Sequence, residues 1–271
     1  MKATKFIYKV LVALLVSTQL FAATGCNEKS GSPKPVSEKD FKKIHLTENG
    51  EGLYVEYEGT KENLVIPSKI QDKPVLFVKI FDTNDKIKSV VIPEGVKGIN
   101  VTASGLKNIQ LPSTLIYVDD LYGDFDKVEI PQGVVEIRTV SSRSLKSLII
   151  PEGVKVFGTT YECEALESVT LPKSIKFLHK YAFTKKDNLK EINIPEEGLS
   201  VFIYGLNSEY TKPRDCFTGK AIDNSVELQE KILKIKDAGE VEDYWSAREA
   251  DYVKWFYDNI HPLTGRDPGA L

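Results

Sequence analysis

The chain has 271 residues, with 36 basic and 39 acidic side chains that give a net charge of −3 at neutral pH. Hydrophobic residues make up 41% of the sequence, so the chain can bury a sizeable core without relying on its three cysteines. A near-balanced charge with no dominant basic cluster argues against nucleic acid as a partner.

The segment at 1–25 has the composition of an export signal rather than of a folded element. Three lysines precede an apolar run at 10–16, and small residues follow from Ala22 to Gly25. The apolar run is too short to span a membrane. The sequence therefore predicts a signal peptide at 1–25.

Cys26 follows Ala23, Thr24 and Gly25, an order that is similar to the lipidation site of bacterial lipoproteins. The leucine usual three positions before the cysteine is replaced by Ala23, so ordinary secretion with a chance cysteine is the alternative. A polar tether rich in serine and proline follows directly at 27–35. We therefore predict lipidation of Cys26, with 26–44 as the anchor and flexible tether.

A short phrase ending in proline recurs through the middle of the chain. The prolines are Pro67, Pro93, Pro112, Pro131, Pro151, Pro172 and Pro195, and the differences between neighbouring numbers are 26, 19, 19, 20, 21 and 23. Each full unit has five apolar positions, which in the fifth unit are Leu145, Leu148, Ile150, Val154 and Phe157. A period of this length predicts a solenoid, whose units bury their apolar faces only against one another.

The three residues before each proline alternate as in a β-strand, and proline ends the strand because it cannot donate to a ladder. We expect short parallel strands stacked turn by turn, with little helix in the repeats. Pro-Glu-Gly at 93–95 and 151–153 predicts a type I turn with glycine in its fourth position. The outward residue of each strand, two before proline, is expected to line one continuous binding face: Val65, Val91, Gln110, Glu129, Ile149, Thr170 and Asn193.

The repeat resembles the BspA-type leucine-rich repeat of bacterial and protist surface proteins, whose unit is roughly L-x-x-[IV]-x-[IL]-P-x-[GS]-[VL]-x-x-I. Leu166, Val169, Leu171, Pro172, Ile175 and Leu178 match that unit, and Ala182 and Phe183 follow as in the family. The resemblance covers about 53–205, although the Ala-Phe segment is missing between 98 and 143. It implies a leucine-rich-repeat solenoid of about seven repeats at 45–217, surface display and, in some members, adhesion to host matrix proteins.

Cys163 lies three residues before Leu166, where the resemblance places a cysteine. An exported compartment permits a disulfide with Cys216. The other interpretation, which we favour, makes Cys163 a small buried core residue and Cys216 the same position of a last partial repeat.

Near residue 218 the pattern changes from repeat to helix. Apolar spacing predicts one helix at 225–236 that stops at Gly239, and a second at 241–260. The second helix carries an aromatic stripe made of Tyr244, Trp245, Tyr252, Trp255 and Phe256. The stripe either binds a partner or, as we predict, belongs to a helical cap at 218–271 over the open end of the solenoid, with a loose tail after His261.

No motif for catalysis, phosphate binding or a cofactor appears, so we predict neither an enzyme nor a metal site. The three histidines, His45, His179 and His261, are far apart in sequence. The densest acidic cluster comprises Asp119, Asp120, Asp124 and Asp126. It lacks the spacing of an EF-hand, so we predict a solvated loop rather than a cation site.

These features together predict an exported, lipid-anchored binding or adhesion module at the cell surface or in the periplasm. Its partner would be a protein or a glycan, and its membrane contact would be the lipid on Cys26. The alternative is a periplasm-facing envelope scaffold with no host ligand. Carboxylates that meet only in the fold leave an enzyme as a third and less favoured hypothesis.

Overall fold

The computed structural model describes residues 34–204, 216–217, 224–237 and 250–267, and it confirms a leucine-rich-repeat type of solenoid with few helices. A 3₁₀ turn at Glu38–Asp40 precedes the first strand. The signal segment, Cys26, Tyr244 and Trp245 lie outside the described residues.

Most turns of the solenoid contain two strands rather than the single one expected, and the turn that contains Glu129 lacks the short strand. The short strands before the prolines, together with one two-residue strand, are β3 (Asn63–Val65), β4 (Lys69–Ile70), β6 (Ser89–Val91), β8 (Asn108–Gln110), β11 (Ser147–Ile149), β13 (Ser168–Thr170) and β15 (Glu191–Asn193). The other strands are β1 (Phe41–Leu46), β2 (Leu53–Tyr57), β5 (Lys73–Asp82), β7 (Gly98–Ala103), β9 (Tyr117–Gly123), β10 (Glu136–Ser142), β12 (Val156–Tyr161), β14 (Phe177–His179), β16 (Leu199–Tyr204) and β17 (Ile235–Asp237).

The second set of strands forms one long sheet, in the order β1-β2-β5-β7-β9-β10-β12-β14-β16-β17. The strands are parallel from β2 onward, whereas β1 closes the first edge as an antiparallel hairpin with β2 and β4 pairs antiparallel with β5. The apolar residue six positions after the proline, such as Phe157 after Pro151, belongs to this sheet. Sequence reasoning identified that residue as buried but did not recognise the strand around it.

The core lies between the long sheet and the short strands. Leu148 and Ile150 enter it from a short strand and the proline turn, and Phe157 enters it from the long sheet. Rings of successive turns stack along it, with centroids 5.2 Å apart for Phe157 and Phe183 and 5.0 Å apart for Phe183 and Phe217. Cys163 and Cys216 are both buried, and they do not form a disulfide.

The turns that contain Gly95 and Gly153 differ from the predicted type I geometry. In the turn at 93–96 the carbonyl of Pro93 accepts from the amide of Val96, with N and O 3.4 Å apart. Gly95 therefore occupies the third position, where its φ of 99° requires glycine, as in a type II turn. The type I prediction was wrong because it placed the turn one residue too early.

The C-terminal elements are α1 (Val226–Leu233), α2 (Ala250–Asn259) and α3 (His261–Thr264). The amide of Leu228 donates to the hydroxyl of Ser225, which caps α1. α1 is shorter than predicted because 235–237 pairs with β16 as the last strand of the long sheet. The helix packs beside β15 and β17, so this part of the segment does cover the end of the solenoid.

Candidate binding surfaces

The outer face of the long sheet, turned away from the core, carries three rows of side chains. Strand register defines a first row of Phe77, Gly98, Tyr117, Glu136, Val156 and Phe177. The second row contains Glu56, Lys79, Asn100, Asp119, Asp120 and Arg138. The third row, near the ends of the strands, contains Phe81, Thr102, Tyr122, Ser141 and Tyr161.

Apart from the buried Glu136, the first row carries no charged or polar side chain other than the phenol of Tyr117, and all of its members are buried. Tyr54 stacks on Phe77 with ring centroids 4.7 Å apart and planes 7° apart, and burial raises the pKa of Tyr54 to about 12. Gly98 leaves room for its neighbours, since a Cβ there would lie 2.6 Å from the Phe77 ring. The rings of Phe256 in α2 and Tyr117 pack at right angles, with their centroids 6.3 Å apart. A second apolar cluster thus forms on the outer face, separate from the main core.

This packing corrects the predicted role of Trp255 and Phe256, the members of the aromatic stripe whose side chains the structure describes. α2 and α3 lie across the outer face of the sheet, and Phe256, Ile260 and Leu263 are buried against the first row. Residues 261–267 are therefore not a loose tail. The sequence correctly indicated an apolar helix face but gave no indication that the sheet had a second apolar face to receive it.

The second row is built around Asp119, which is only 5% exposed. Arg266 binds both of its oxygens from the C-terminal segment, at 2.7 and 2.6 Å. Asn100 donates at 2.7 Å, Tyr117 donates at 3.1 Å, and Arg138 lies 3.3 Å away. Burial raises the pKa of the Tyr117 phenol, so it remains a donor. The carboxylate accepts from the sheet and the C-terminal segment together.

The predicted solvated acidic loop is therefore wrong for Asp119. Asp124 also has partners, since it accepts from Lys107 and Ser144. Among the described residues, no group of histidine, cysteine and acidic side chains is arranged to hold a metal ion. A signal for the network was present in the sequence, because Asn100, Asp119 and Arg138 follow one another one repeat apart and so stand side by side on neighbouring strands.

The third row is the part of the outer face that stays open. Phe81 is 44% exposed and Tyr161 is 63% exposed, and the half-buried Tyr122 stands between them. The hydroxyl of Tyr122 donates to Glu162 at 3.2 Å, and Arg143 donates to the same carboxylate oxygen at 2.9 Å. Thr102 and Ser141 alternate with the rings, so every second strand presents an aromatic side chain.

Ser141 is buried in this row, and its Oγ has no hydrogen-bond partner among the described residues. An unsatisfied buried hydroxyl costs about 1–3 kcal/mol. We therefore expect Ser141→Ala to raise the free energy of unfolding by about 1 kcal/mol in urea titrations. Ser142→Ala is the matched control, because its Oγ donates to the Phe125 carbonyl at 2.6 Å and its loss should destabilise the protein. Equal destabilisation by both changes would contradict this account.

A polar groove of about 580 Å³ adjoins the third row at Tyr122. Its polar lining includes Asp85, Lys88, Ser104 and Asp124. The groove lies where the long strands turn back toward the short ones, beside the exposed rings.

The face predicted to bind a partner lies on the short strands. Each of its seven residues, Val65, Val91, Gln110, Glu129, Ile149, Thr170 and Asn193, is exposed or half-buried. The face is not continuous, because the short strands form two separate sheets, β3-β6-β8 and β11-β13-β15, and Glu129 lies in neither. A groove of about 580 Å³ opens at this interruption, beside Gln110 and Glu129.

His179 is buried at the end of β14, where the amide of Tyr181 donates to its Nδ1 at 3.2 Å. Burial, aided by the charge of Lys180, lowers its pKa from 6.5 to about 4. The unfolded chain then binds a proton at a higher pH than the folded chain does. We expect the free energy of unfolding to fall as pH drops from about 6.5 to about 4, in part through this group. His179→Gln should have a shallower pH dependence in that window, and parallel curves would contradict this assignment.

Comparisons with known proteins bear on this architecture. Residues 120–205 match the model of the BspA type leucine rich repeat region, in six copies. The structure is similar to a leucine rich repeat protein of T. pallidum, with a TM-score of 0.55, 24% identity, and coverage of 76% of this chain and 98% of that one. It is also similar to a leucine rich cell surface protein of Faecalibacterium prausnitzii A2-165, with a TM-score of 0.42, 18% identity, and coverage of 64% and 55%. No curated protein matches this chain.

Proposed function

Because this chain carries BspA-type leucine-rich repeats, we propose that it is an exported binding module, anchored by a lipid on Cys26, that contacts a protein or a glycan through its strand surfaces. The observation that carries the proposal is the repeat array itself. Stacked turns place equivalent side chains on neighbouring strands, which produces extended surfaces with regular spacing. Surfaces of this kind suit contact with a large partner better than they suit chemistry on a small substrate.

The proposed anchor rests on the signal-like segment, the lipobox-like order before Cys26 and the polar tether. No helix among the described residues has the length and apolar character to cross a membrane. A diacyl anchor with a flexible leash would hold the solenoid near a membrane while leaving its surfaces free.

Metabolic labelling with a fatty acid, followed by membrane fractionation, tests the anchor. The wild type should be labelled and found with membranes, whereas Cys26→Ala should be unlabelled and released. Labelling that persists in Cys26→Ala would remove the anchor from the proposal. Protease treatment of intact cells then separates surface display, in which the solenoid is cleaved, from a periplasmic scaffold, in which it is protected.

A binding screen against matrix and envelope proteins tests the module itself. Substitution of three short-strand residues by glutamate, at Gln110, Ile149 and Thr170, should weaken the binding of any partner that uses that face. If binding by the folded triple variant were unchanged, the short-strand face would be ruled out and the outer face of the long sheet would remain. If the wild type bound nothing in the screen and bound no glycan in titrations, the module proposal would fail.

A further inference from the structure

We propose that the third row binds an extended β-linked polysaccharide that carries carboxylates. This inference rests on the proposed function as a binding module, and it names both the class of partner and the surface that receives it. Four observations carry it: aromatic rings on alternate strands, a polar groove beside them, a lysine in that groove that lacks a carboxylate partner among the described residues, and the unsatisfied hydroxyl of Ser141.

The spacing of the rings is the first observation. Neighbouring strands lie about 4.8 Å apart, so rings on every second strand repeat at about 10 Å. Phe81, Tyr122 and Tyr161 occupy β5, β9 and β12, which are successive alternate strands of the sheet. That repeat is comparable with the length of one disaccharide in an extended β-linked polysaccharide. The apolar C–H face of every second sugar can therefore pack on one aromatic side chain.

The arrangement of the row favours a linear polysaccharide over a protein. Protein partners are usually held by aromatic residues gathered in a compact, dry centre. Here Thr102 and Ser141 separate the rings, and the row runs in a line over four strand steps, about 19 Å. Evenly spaced rings separated by hydroxyl groups match a polymer in which rings and hydroxyl groups also alternate.

The groove supplies a positive charge for the carboxylate of the sugar. Lys107 is paired with Asp124, and Arg143 is paired with Glu162. Lys88 has no carboxylate within ion-pair distance among the described residues, and its Nζ lies against Gly105, where a Cβ would be only 2.7 Å away. An acidic sugar seated on Tyr122 would pair with Lys88. Its hydroxyl groups would meet Ser104 and Asp85, which already share a hydrogen bond.

Ser141 provides an independent sign of a missing polar partner. Its buried Oγ lies between Tyr122 and Tyr161 in the row and is unsatisfied among the described residues. Buried polar groups are rarely left without a partner. A hydroxyl group of a sugar bound between the rings of Tyr122 and Tyr161 would supply the missing partner.

Isothermal titration of the full-length protein with two hexasaccharides tests the proposal. Hyaluronan hexasaccharide carries carboxylates, and N-acetylchitohexaose is a neutral β-linked control of the same length. We expect hyaluronan to bind at least tenfold more tightly than the neutral sugar. Phe81→Ala and Tyr161→Ala should each reduce the affinity for both sugars at least tenfold. Lys88→Met should reduce the affinity for hyaluronan to that for the neutral sugar, and Tyr181→Ala, an exposed aromatic change outside the row, should alter neither.

Failure to bind either sugar would overturn the proposal, and so would equal losses in Tyr161→Ala and Tyr181→Ala. Equal affinity for the two sugars would overturn the role of Lys88. A wild type that captured a protein in the binding screen, lost it on Tyr161→Ala and ignored both sugars would assign the row to a protein partner. In that case the polysaccharide inference would fail while the binding module proposal stood.

Discussion

Ile150→Asp is expected to lower the free energy of unfolding by about 4 kcal/mol, because it places an uncompensated carboxylate in the core. Ile150 is 2% exposed, at the junction of a short strand and its proline turn, and it belongs to the main apolar cluster. A carboxylate there has to be protonated or drawn toward solvent, and either response disrupts the packing of the turn. Urea titration followed by circular dichroism measures the loss.

The neighbouring residue provides the matched control. Ile149 is 63% exposed on the opposite side of the same strand, so Ile149→Asp should change the free energy of unfolding by no more than about 0.5 kcal/mol. In a solenoid each turn is stabilised by its neighbours, so the substitution should destabilise several adjacent turns. Limited proteolysis of Ile150→Asp should therefore cleave the chain within several adjacent turns. Wild-type stability in Ile150→Asp would show that the inward and outward positions have been exchanged.

Asp119→Ala is expected to lower the free energy of unfolding by about 3 kcal/mol, because it removes the acceptor shared by two arginines, an asparagine and a tyrosine. The loss should concentrate at the C-terminal segment, since Arg266 binds Asp119 from there. Urea titration measures the total loss, and hydrogen exchange over 250–267 measures the release of α2 and α3.

Two further variants isolate the network. Asp126→Ala removes an exposed acid a few residues away and should be nearly neutral. Arg266→Ala removes a partner whose side chain is 44% exposed, so it should cost only about 1 kcal/mol. The double variant Asp119→Ala/Arg266→Ala should be less destabilised than the sum of the two single changes. Additive losses, or equal effects of Asp119→Ala and Asp126→Ala, would contradict the network.

The repeated units could be predicted from the sequence because the same pattern of apolar positions and proline recurs in every unit. A misassigned residue in one unit is corrected by the others, and the inward positions of the fifth unit are all buried in the structure. The long strands could not be predicted, because their outward residues are as apolar as their inward residues and the sequence therefore lacks the alternation typical of a strand. Tyr117 and Val156, which point outward, are as apolar as Val118 and Phe157, which point inward.

The partners of the outer face could not be predicted, because they depend on a segment far away in the chain. Arg266 and Asp119 are 147 residues apart, and neither one indicates the other by spacing or composition. The third row could in principle have been found, since each of its members follows the previous one at about one repeat length. The prolines mark the ends of the short strands, so the repeat pattern indicates a binding face there rather than on the long sheet.

The return of the C-terminal segment has a consequence for cooperativity. An open stack can fray from either end, since each layer is held only by the next one. Here one apolar cluster joins Phe256, Ile260 and Leu263 to side chains of strands that extend from β5 to β14. Turns that are not adjacent therefore contact the same C-terminal segment, and the cluster is complete only when all of these turns are folded. Unfolding should then occur as one sharp transition rather than by peeling from an end.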